Sequence, residues 1–251
     1  MKPLKKHQVN PYIINPAHPI TVLVIGAGGN GSLILTQLAR LHFSLIALEH
    51  QGLDVTVIDP DIVEESNIGR QAFSFHDIGQ PKARIVTERL NMFYKLSWKW
   101  QQTKVEDYRT SSNIIITCTD NKKSRQYVHS EINRKYKNDK KFKILRTDHT
   151  TNLYWLDLGN LKDRGQVILS TPDRKLKSVI EYFGKDYENP DPEQEPSCSL
   201  AQALQKQDLC INPMMSTFAI KILWDLFTRL ELDYHGFFIN LELLIFNKIP
   251  I

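Results

Sequence analysis

The sequence predicts an α/β fold, a doubly wound, Rossmann-like, mostly parallel sheet with helices on both faces. Three observations predict it. A β-branched run at residues 21–25 leads directly into a glycine-rich turn at residues 26–31. Apolar residues at helical spacing follow from Ser32, and a second strand at residues 54–59 returns after them. A strand, a helix and a second strand in this order form a parallel βαβ unit.

The remaining elements follow from the same criteria. The predicted helices lie at residues 81–94, 122–136, 199–207 and 214–230. The predicted strands lie at residues 98–105, 113–120, 143–147, 153–158 and 166–170, with a final strand or hairpin at residues 237–249. We find no internal repeat, and we expect the C-terminal elements to pack back onto the same sheet.

The chain is predicted to form a single domain over residues 1–251. Its nucleotide-binding core is residues 20–170, its crossover loop is residues 171–198, and helices with a strand or hairpin fill residues 199–251. Within the crossover, residues 186–195 contain five acidic residues, two prolines and no aliphatic residue. Such a segment is typical of an exposed connection.

Composition narrows the class of protein. The 251 residues are 41% hydrophobic, enough for a sizeable core. The 32 basic and 28 acidic residues are spread along the chain, so nucleic acid is not an expected partner. The apolar stretches are too short or too interrupted to span a bilayer, and the basic N-terminus does not lead into a signal-peptide core. We therefore expect a cytoplasmic protein without a membrane partner.

The three cysteines, Cys118, Cys198 and Cys210, are each to be considered alone. Their odd number and wide spacing argue against a disulfide framework and against a zinc site built from CxxC pairs. Cys118 lies in an apolar run and Cys210 beside Ile211, so both are interpreted as structural. Cys198 precedes a predicted helix, which favours a thiolate, but its acidic neighbours disfavour one. A nucleophilic role and a structural role for Cys198 both remain open.

The glycine-rich turn fits the pattern G-x-G-x-x-G, with Gly26, Gly28 and Gly31 at the glycine positions and Gly29 between them. Glycines allow a tight turn and bring backbone amides to a phosphate at the start of a helix. Asp59, at the tip of the second strand, is placed to accept hydrogen bonds from ribose hydroxyls. These features suit a dehydrogenase equally well, and the turn can also occur without any ligand.

The residues that follow Asp59 distinguish the alternatives, because they place an amide and a guanidinium near the phosphate end, which hydride transfer does not need. The series is Asp59, Asp61, Val63, Ser66, Asn67, Arg70 and Gln71. It resembles a motif shared by the ThiF, MoeB and HesA family and by ubiquitin-activating enzymes. The similarity continues through residues 78–83, 119–121, 157–159 and 165–167, together with Arg125, and covers about residues 20–170.

The resemblance implies that a C-terminal carboxylate, usually of a ubiquitin-like protein, attacks the α-phosphate of ATP to give an acyl-adenylate and pyrophosphate. It implies that Asp59 binds ribose, that Asn67 and Arg70 bind phosphates, that Lys82 binds the phosphate tail and that Asp120 binds Mg²⁺. The implied nucleotide site further includes the four glycines with Asp61 and Gln71. The implied catalytic residues are Arg70, Lys82, Asp120 and Cys198, the last as a thioester acceptor. For each single residue a structural role, as a helix cap or a surface ion-pair partner, is the alternative.

The resemblance also has implications for partners. Residues 196–204 and 207–209 resemble the ThiF-related members of bacterial PRTRC cassettes, which also encode a ubiquitin-like protein and a conjugating-enzyme-like protein. Both are implied partners, with residues 186–195 as a docking strip or simply a solvated loop, and a homodimer is implied by analogy.

The family's zinc-binding CxxC pairs are missing, so no zinc is expected. The family's N-terminal arginine has no counterpart before Arg40, although Lys5 or Lys6 could substitute. The competing functions are an NAD-dependent oxidoreductase and a non-catalytic nucleotide-binding scaffold.

Overall fold

The computed structural model describes residues 5–142, 147–189 and 205–251. The strands are β1 His7–Gln8, β2 Ile20–Ile25, β3 Leu53–Ile58, β4 Lys99–Gln101, β5 Ile114–Thr117, β6 Tyr154–Asn160, β7 Arg164–Ser170, β8 Glu231–Leu232, β9 Tyr234–Asn240 and β10 Ile245–Pro250. The α-helices that lie wholly within the described ranges are α1 Pro11–Ile14, α2 Gly29–Ala47, α3 Lys82–Tyr94, α4 Lys122–Lys141, α5 Val179–Tyr182, α6 Gly184–Tyr187 and α7 Ile211–Thr228.

Eight strands form one sheet in the order β10-β9-β7-β6-β5-β2-β3-β4. The five strands from β4 to β6 pair in parallel, with β2 at the centre, and β7, β9 and β10 extend the sheet in antiparallel fashion. The carboxyl ends of β2, β3 and β5 therefore meet at one edge. The predicted doubly wound α/β fold is confirmed.

Helices cover both faces of the sheet. On one face α2, α3 and α7 pack over side chains such as Val24, Val57 and Ile116, and α7 lies along α2. On the other face α4 contributes Val128 and Ile132 to a smaller apolar cluster. Because both faces are covered, β5 is buried at every residue, which explains why its sequence is apolar without alternation.

Several element boundaries differ from the sequence predictions. The strand expected at residues 98–105 is only Lys99–Gln101, because β4 is the edge strand of the sheet and Val105–Asp107 turn into a 3₁₀-helix. The final element is a hairpin of β9 and β10. The strand predicted at 143–147 and the helix predicted at 199–207 lie largely outside the described residues. Among the helices that the structure describes, none is both long enough and apolar enough to cross a membrane.

The two shortest strands, β1 and β8, connect the N-terminal segment to the segment that follows α7. β1 pairs with β8 in antiparallel register, with His7 opposite Leu232. An ion pair of 2.7 Å between Lys6 and Glu231 flanks this ladder. The sequence analysis did not predict this two-stranded sheet.

Candidate functional site

The glycine turn connects β2 to α2 and requires glycine at two positions. Gly26 has a φ of +91°, and a Cβ there would lie 3.0 Å from the backbone oxygen of Cys118. A Cβ on Gly31 would lie 1.9 Å from the backbone oxygen of Gly26. Helix α2 begins at Gly29 with no side chain capping its first amides. Those unpaired N–H groups, together with the helix dipole, form a site suited to an anion.

We expect Gly31→Ala to destabilise the protein by about 3 kcal/mol, because its methyl group would overlap backbone that cannot move without opening the turn. Gly184→Ala is the matched control, since a Cβ at Gly184 meets no atom of the described part of the chain within 4 Å. Urea unfolding followed by circular dichroism measures both changes. Equal stability of the two variants would contradict the proposed tightness of the turn.

Asp59 follows β3 and fixes the glycine turn through its carboxylate. It is 5% exposed; its Oδ2 accepts from the Ala27 N–H at 2.5 Å and its Oδ1 from the Asp61 N–H at 2.8 Å. Burial raises the pKa of Asp59, and the two N–H groups offset this only in part. The carboxylate therefore has a structural role in the turn, beside its predicted contact with ribose.

This raised pKa gives a pH dependence of stability. The folded protein retains the Asp59 proton at pH values where the unfolded chain has lost it, so ionisation costs folded-state stability. As pH rises from the ordinary aspartate pKa through the raised one, the free energy of unfolding of the wild type should fall relative to that of Asp59→Asn. Unfolding titrations of both proteins across this range measure the difference. A pH-independent difference would contradict the prediction.

Lys82 and Asp61 form an ion pair at the start of α3. The Lys82 Nζ lies 3.2 Å from the Asp61 Oδ2, and the two side chains are 10% and 62% exposed. The exposed carboxylate limits the pair to about 1 kcal/mol or less, so a ligand phosphate could compete for the lysine. The pair lies close enough to Asp59 for both charges to act on its pKa.

Asn67 ends a 3₁₀-helix, Glu65–Asn67, and is buried. Its Oδ1 accepts from the Glu64 N–H at 3.0 Å, which completes a capping box. The side chain thus has the capping role that was the structural alternative for this position. Its role at a phosphate stays a prediction.

Arg70 is half-buried, and in the described part of the chain it forms no direct ion pair with a carboxylate. Its Nη1 donates to the Gln207 Oε1 at 2.6 Å, and its Nε is buried without a hydrogen-bond partner among the described residues. Burial lowers the pKa of Arg70, and the nearby negative charge of Asp120 partly restores it. Asp120 itself is exposed, just beyond the carboxyl end of β5. An arginine with an unused donor, and with no carboxylate of the described residues in direct contact, is suited to an anionic ligand.

Gln71 and Asn30 each have a buried side-chain oxygen that no residue in the described ranges hydrogen-bonds. The Gln71 amide lies within 4.0 Å of the position that a Cβ on Gly28 would occupy. The Asn30 Nδ2 donates to the Asn160 Oδ1 at 2.7 Å, so only its oxygen is left over. Unpaired buried polar atoms beside the glycine turn indicate that a polar ligand or water completes this region.

Arg125 and Asp157, at two of the positions where the family similarity continues, form a buried ion pair near the same edge of the sheet. The Arg125 Nε donates to the Asp157 Oδ1 at 2.7 Å, and its Nη2 donates to the Leu158 carbonyl oxygen at 3.0 Å. Burial would lower the pKa of Arg125, but the adjacent Asp157 carboxylate outweighs it and the pKa is raised. The pair links α4 to β6.

The remaining predicted residues are less informative. Cys198, the candidate acyl acceptor, lies outside the described residues, as do residues 190–195 of the acidic connection. Cys118 and Cys210 are free thiols, and burial raises the pKa of Cys118, which disfavours a reactive thiolate. The described ranges contain no group of three or more ligating His, Cys, Asp or Glu side chains. Lys6 is paired with Glu231.

Two residues to which the sequence analysis assigned no role contact the site. Gln207 bonds to Arg70 across 137 positions of sequence, and Asn212 bonds to Gln207. A single amide side chain in a loop or at a helix start carries no pattern that distinguishes it from a solvated one. Only the packing of α7 along α2 brings these residues to the glycine turn.

Known proteins of related sequence match parts of this chain. A mouse ubiquitin-like modifier-activating enzyme 6 is 32% identical over 122 residues, which are 44% of this chain and 11% of the relative. A Dictyostelium discoideum NEDD8-activating enzyme E1 catalytic subunit is 32% identical over 129 residues, which are 49% of this chain and 27% of the relative. The chain therefore matches only a small part of these curated relatives.

Solved structures match nearly the whole chain. PaaA superposes with a TM-score of 0.62 at 16% identity, covering 92% of this chain and 64% of PaaA. Escherichia coli MccB determined with ATP superposes with a TM-score of 0.58 at 16% identity, covering 92% of this chain and 63% of MccB. These likenesses support the fold. The ThiF family model matches residues 17–248, nearly the full length, and the chain belongs to the ThiF family.

Proposed function

We propose that this protein uses ATP to adenylate the C-terminal carboxylate of a small ubiquitin-like protein. The observation that carries the proposal is the state of Arg70, a half-buried cation beside the glycine turn with no carboxylate paired to it in the described part of the chain. Family membership and the E1-type relatives support the same reaction. MccB has been solved with ATP and, in another structure, with AMPCPP and MccA, which supports a nucleotide site on this fold. The ubiquitin-like modifier and NEDD8 that the relatives activate support a ubiquitin-like protein as the substrate.

In this proposal the triphosphate lies along the edge where β2, β3 and β5 end. The open amides of α2 and the Arg70 guanidinium bind phosphate oxygens, Lys82 exchanges Asp61 for the phosphate tail, and Asp59 accepts from ribose. An exposed single carboxylate fits Mg²⁺, which is commonly bound by one or two carboxylates together with substrate phosphates. Asp120 would hold that ion, which would offset phosphate charge.

The proposed reaction forms one bond and breaks another. An oxygen of the substrate carboxylate attacks the α-phosphorus, the bond from that phosphorus to the bridging oxygen breaks, and pyrophosphate leaves. Negative charge grows on the departing phosphates, so fixed cations contribute more to the rate than an acid–base pair would. Arg70 and Lys82 supply those cations.

A later transfer step is proposed at Cys198. The thiolate would attack the carbonyl carbon of the acyl-adenylate, AMP would leave, and a thioester would form. An adduct with the ubiquitin-like protein that excess thiol and hydroxylamine both cleave, and that is lost in Cys198→Ala, would support the step. Formation of adenylate without any adduct would assign Cys198 to a structural role and favour direct hand-over to a conjugating-enzyme-like partner.

The test of the overall function is ATP–pyrophosphate exchange with each small protein encoded beside this gene. We expect exchange with a ubiquitin-like protein and none when its last two residues are deleted, because the reacting carboxylate is then misplaced. Sedimentation of the active complex measures whether it contains the homodimer that the family resemblance implies. Nucleotide binding without exchange would favour a scaffold, and NADH-dependent absorbance changes would favour an oxidoreductase.

Arg70→Ala should lower the exchange rate about 10²- to 10³-fold, the usual effect of removing one fixed donor from a developing negative charge. Arg70→Lys should recover only part of the loss, because lysine lacks the planar fork of donors. Arg40→Ala, on the exposed side of α2, is the matched control and should leave exchange unchanged. Full activity of Arg70→Ala would remove the main support for the proposed site.

A further inference from the structure

We infer that Gln207 and Asn212 form an amide pair that positions the Arg70 guanidinium at the phosphate end of the site. The inference rests on the proposed function, since it concerns how the same site holds its main cation. It adds two positioning residues from the C-terminal part of the chain to a site whose predicted members all precede residue 121, apart from Cys198.

The hydrogen bonds define the pair. The Gln207 Oε1 accepts from the Arg70 Nη1 at 2.6 Å and from the Asn212 Nδ2 at 3.2 Å. The Gln207 Nε2 donates in return to the Asn212 Oδ1 at 3.3 Å. A guanidinium has only donors, so the oxygen of Gln207 must face Arg70, and its second lone pair is used by Asn212. The orientation of the whole group is thereby fixed.

Asn212 joins this group to the glycine turn. It is the second residue of α7, is 1% exposed, and lies so close to Gly29 that a Cβ there would be 2.4 Å from the Asn212 Nδ2. Glycine at position 29 therefore leaves the space that the Asn212 amide occupies. Arg70, Gln207, Asn212 and Gly29 form one continuous contact chain from the cation to the start of α2.

The pair is neutral, and this matters for the cation it holds. A carboxylate at position 207 would also bind Arg70, but it would cancel the charge that a phosphate needs. An amide oxygen fixes one nitrogen of the guanidinium and leaves the net charge available. Lys82 provides the contrast, because its partner Asp61 is charged and must be displaced by a ligand.

Fixing the Arg70 side chain before nucleotide binds should raise the affinity for nucleotide. A free arginine side chain loses rotamer entropy when a ligand orders it, and a side chain that is already fixed does not. A hydrogen bond to a charged group has a net effect on an equilibrium of about 10- to 100-fold. We therefore expect Gln207→Ala, and Gln207→Leu with its similar volume, to weaken Mg·ATP binding by about 10- to 100-fold.

A double-mutant cycle tests whether the effect passes through Arg70. Titration calorimetry with Mg·ATP is performed on the wild type, Gln207→Ala, Arg70→Ala and the double variant, with thermal unfolding to verify folding. We expect the Gln207→Ala loss in the wild-type background and no further loss in the Arg70→Ala background. Gln205→Ala, an exposed glutamine two residues earlier, is the matched control and should bind as the wild type does. Equal losses in both backgrounds, or no loss in either, would overturn the inference.

A charge substitution tests the neutral character of the pair. Gln207→Glu should weaken Mg·ATP binding, whereas the matched Gln205→Glu, with the same change of net charge at an exposed position, should weaken it less. Binding by Gln207→Glu as tight as the wild type would overturn the inference. If the wild type and both Gln205 variants bind no ATP, the proposed function itself fails. If they bind ATP and Gln207→Ala also binds it as tightly as the wild type, the positioning role is wrong, and the proposed function is left to the exchange assay.

Discussion

Asp120→Ala should reduce ATP–pyrophosphate exchange by at least about 10³-fold while leaving the fold intact. Loss of a metal ion that neutralises transferring phosphates removes several kcal/mol of transition-state stabilisation. Asp120 is exposed at the carboxyl edge of the sheet, and its charge acts on Arg70. The neighbouring Asn121, through its Oδ1, caps α4 by accepting from the Ser124 N–H at 2.8 Å. Local structure therefore depends on Asn121, and the loss in Asp120→Ala should be chemical.

Asp107→Ala provides the control for removing an exposed acidic side chain, because Asp107 lies in a 3₁₀-helix and is not among the residues assigned to the nucleotide site. We expect its exchange rate and its dependence on Mg²⁺ concentration to match the wild type. Asp120→Asn should also be inactive, or should require much more Mg²⁺, because an amide oxygen carries no full charge. Unchanged exchange in Asp120→Ala, measured on folded protein, would refute the assigned role.

Arg125→Ala should lower the free energy of unfolding by about 3–5 kcal/mol, since it leaves the Asp157 carboxylate buried without its partner. The two side chains are 8% and 1% exposed. The Asp157 Oδ1 also accepts from the Thr117 hydroxyl, which in turn accepts from the Trp155 Nε1 at 3.0 Å. The Oδ2 has no hydrogen-bond partner within the described ranges. The whole arrangement therefore depends on the one cation.

Arg134→Ala is the matched control on the same helix. Its ion pair with Glu131 is 2.6 Å long but exposed on the arginine side, so we expect a loss below about 1 kcal/mol. Replacing both Arg125 and Asp157 by leucine should recover much of the loss, because no buried charge then remains unpaired. Urea unfolding measures all of these changes. A loss in Arg125→Ala no larger than in Arg134→Ala would contradict the burial argument.

The sequence contained enough information to predict the centre of the sheet, because the central strands are buried and read as short apolar runs. β5 is the clearest example, since three β-branched isoleucines in a short run favour a buried strand. Strand limits were less predictable at the edge, where β4 is short because only β3 pairs with it. The pairing of β1 with β8 could not be predicted, because two-residue strands separated by more than 200 residues carry no periodic signal.

The residues of the candidate site also divide into those that the sequence predicts and those that it does not. The glycines, Asp59 and Arg70 stand in a motif whose spacing predicts them, and the structure places Asp59 against the turn as expected for a strand tip. Asn67 has a capping bond that its motif position alone does not reveal. Gln207 and Asn212 enter through long-range packing, so no local pattern could indicate them.

The packing of α7 along α2 sets the smallest fragment that can retain the nucleotide site. Ile211, Met215 and Ala219 of α7 are fully buried in the same core as Ile34 and Leu38 of α2. A fragment ending near residue 170 would contain every residue of the glycine motif, yet it would expose this apolar surface to water. The motif positions therefore span a shorter length of chain than the unit that folds, and we expect a protein trimmed to residues 20–170 to aggregate.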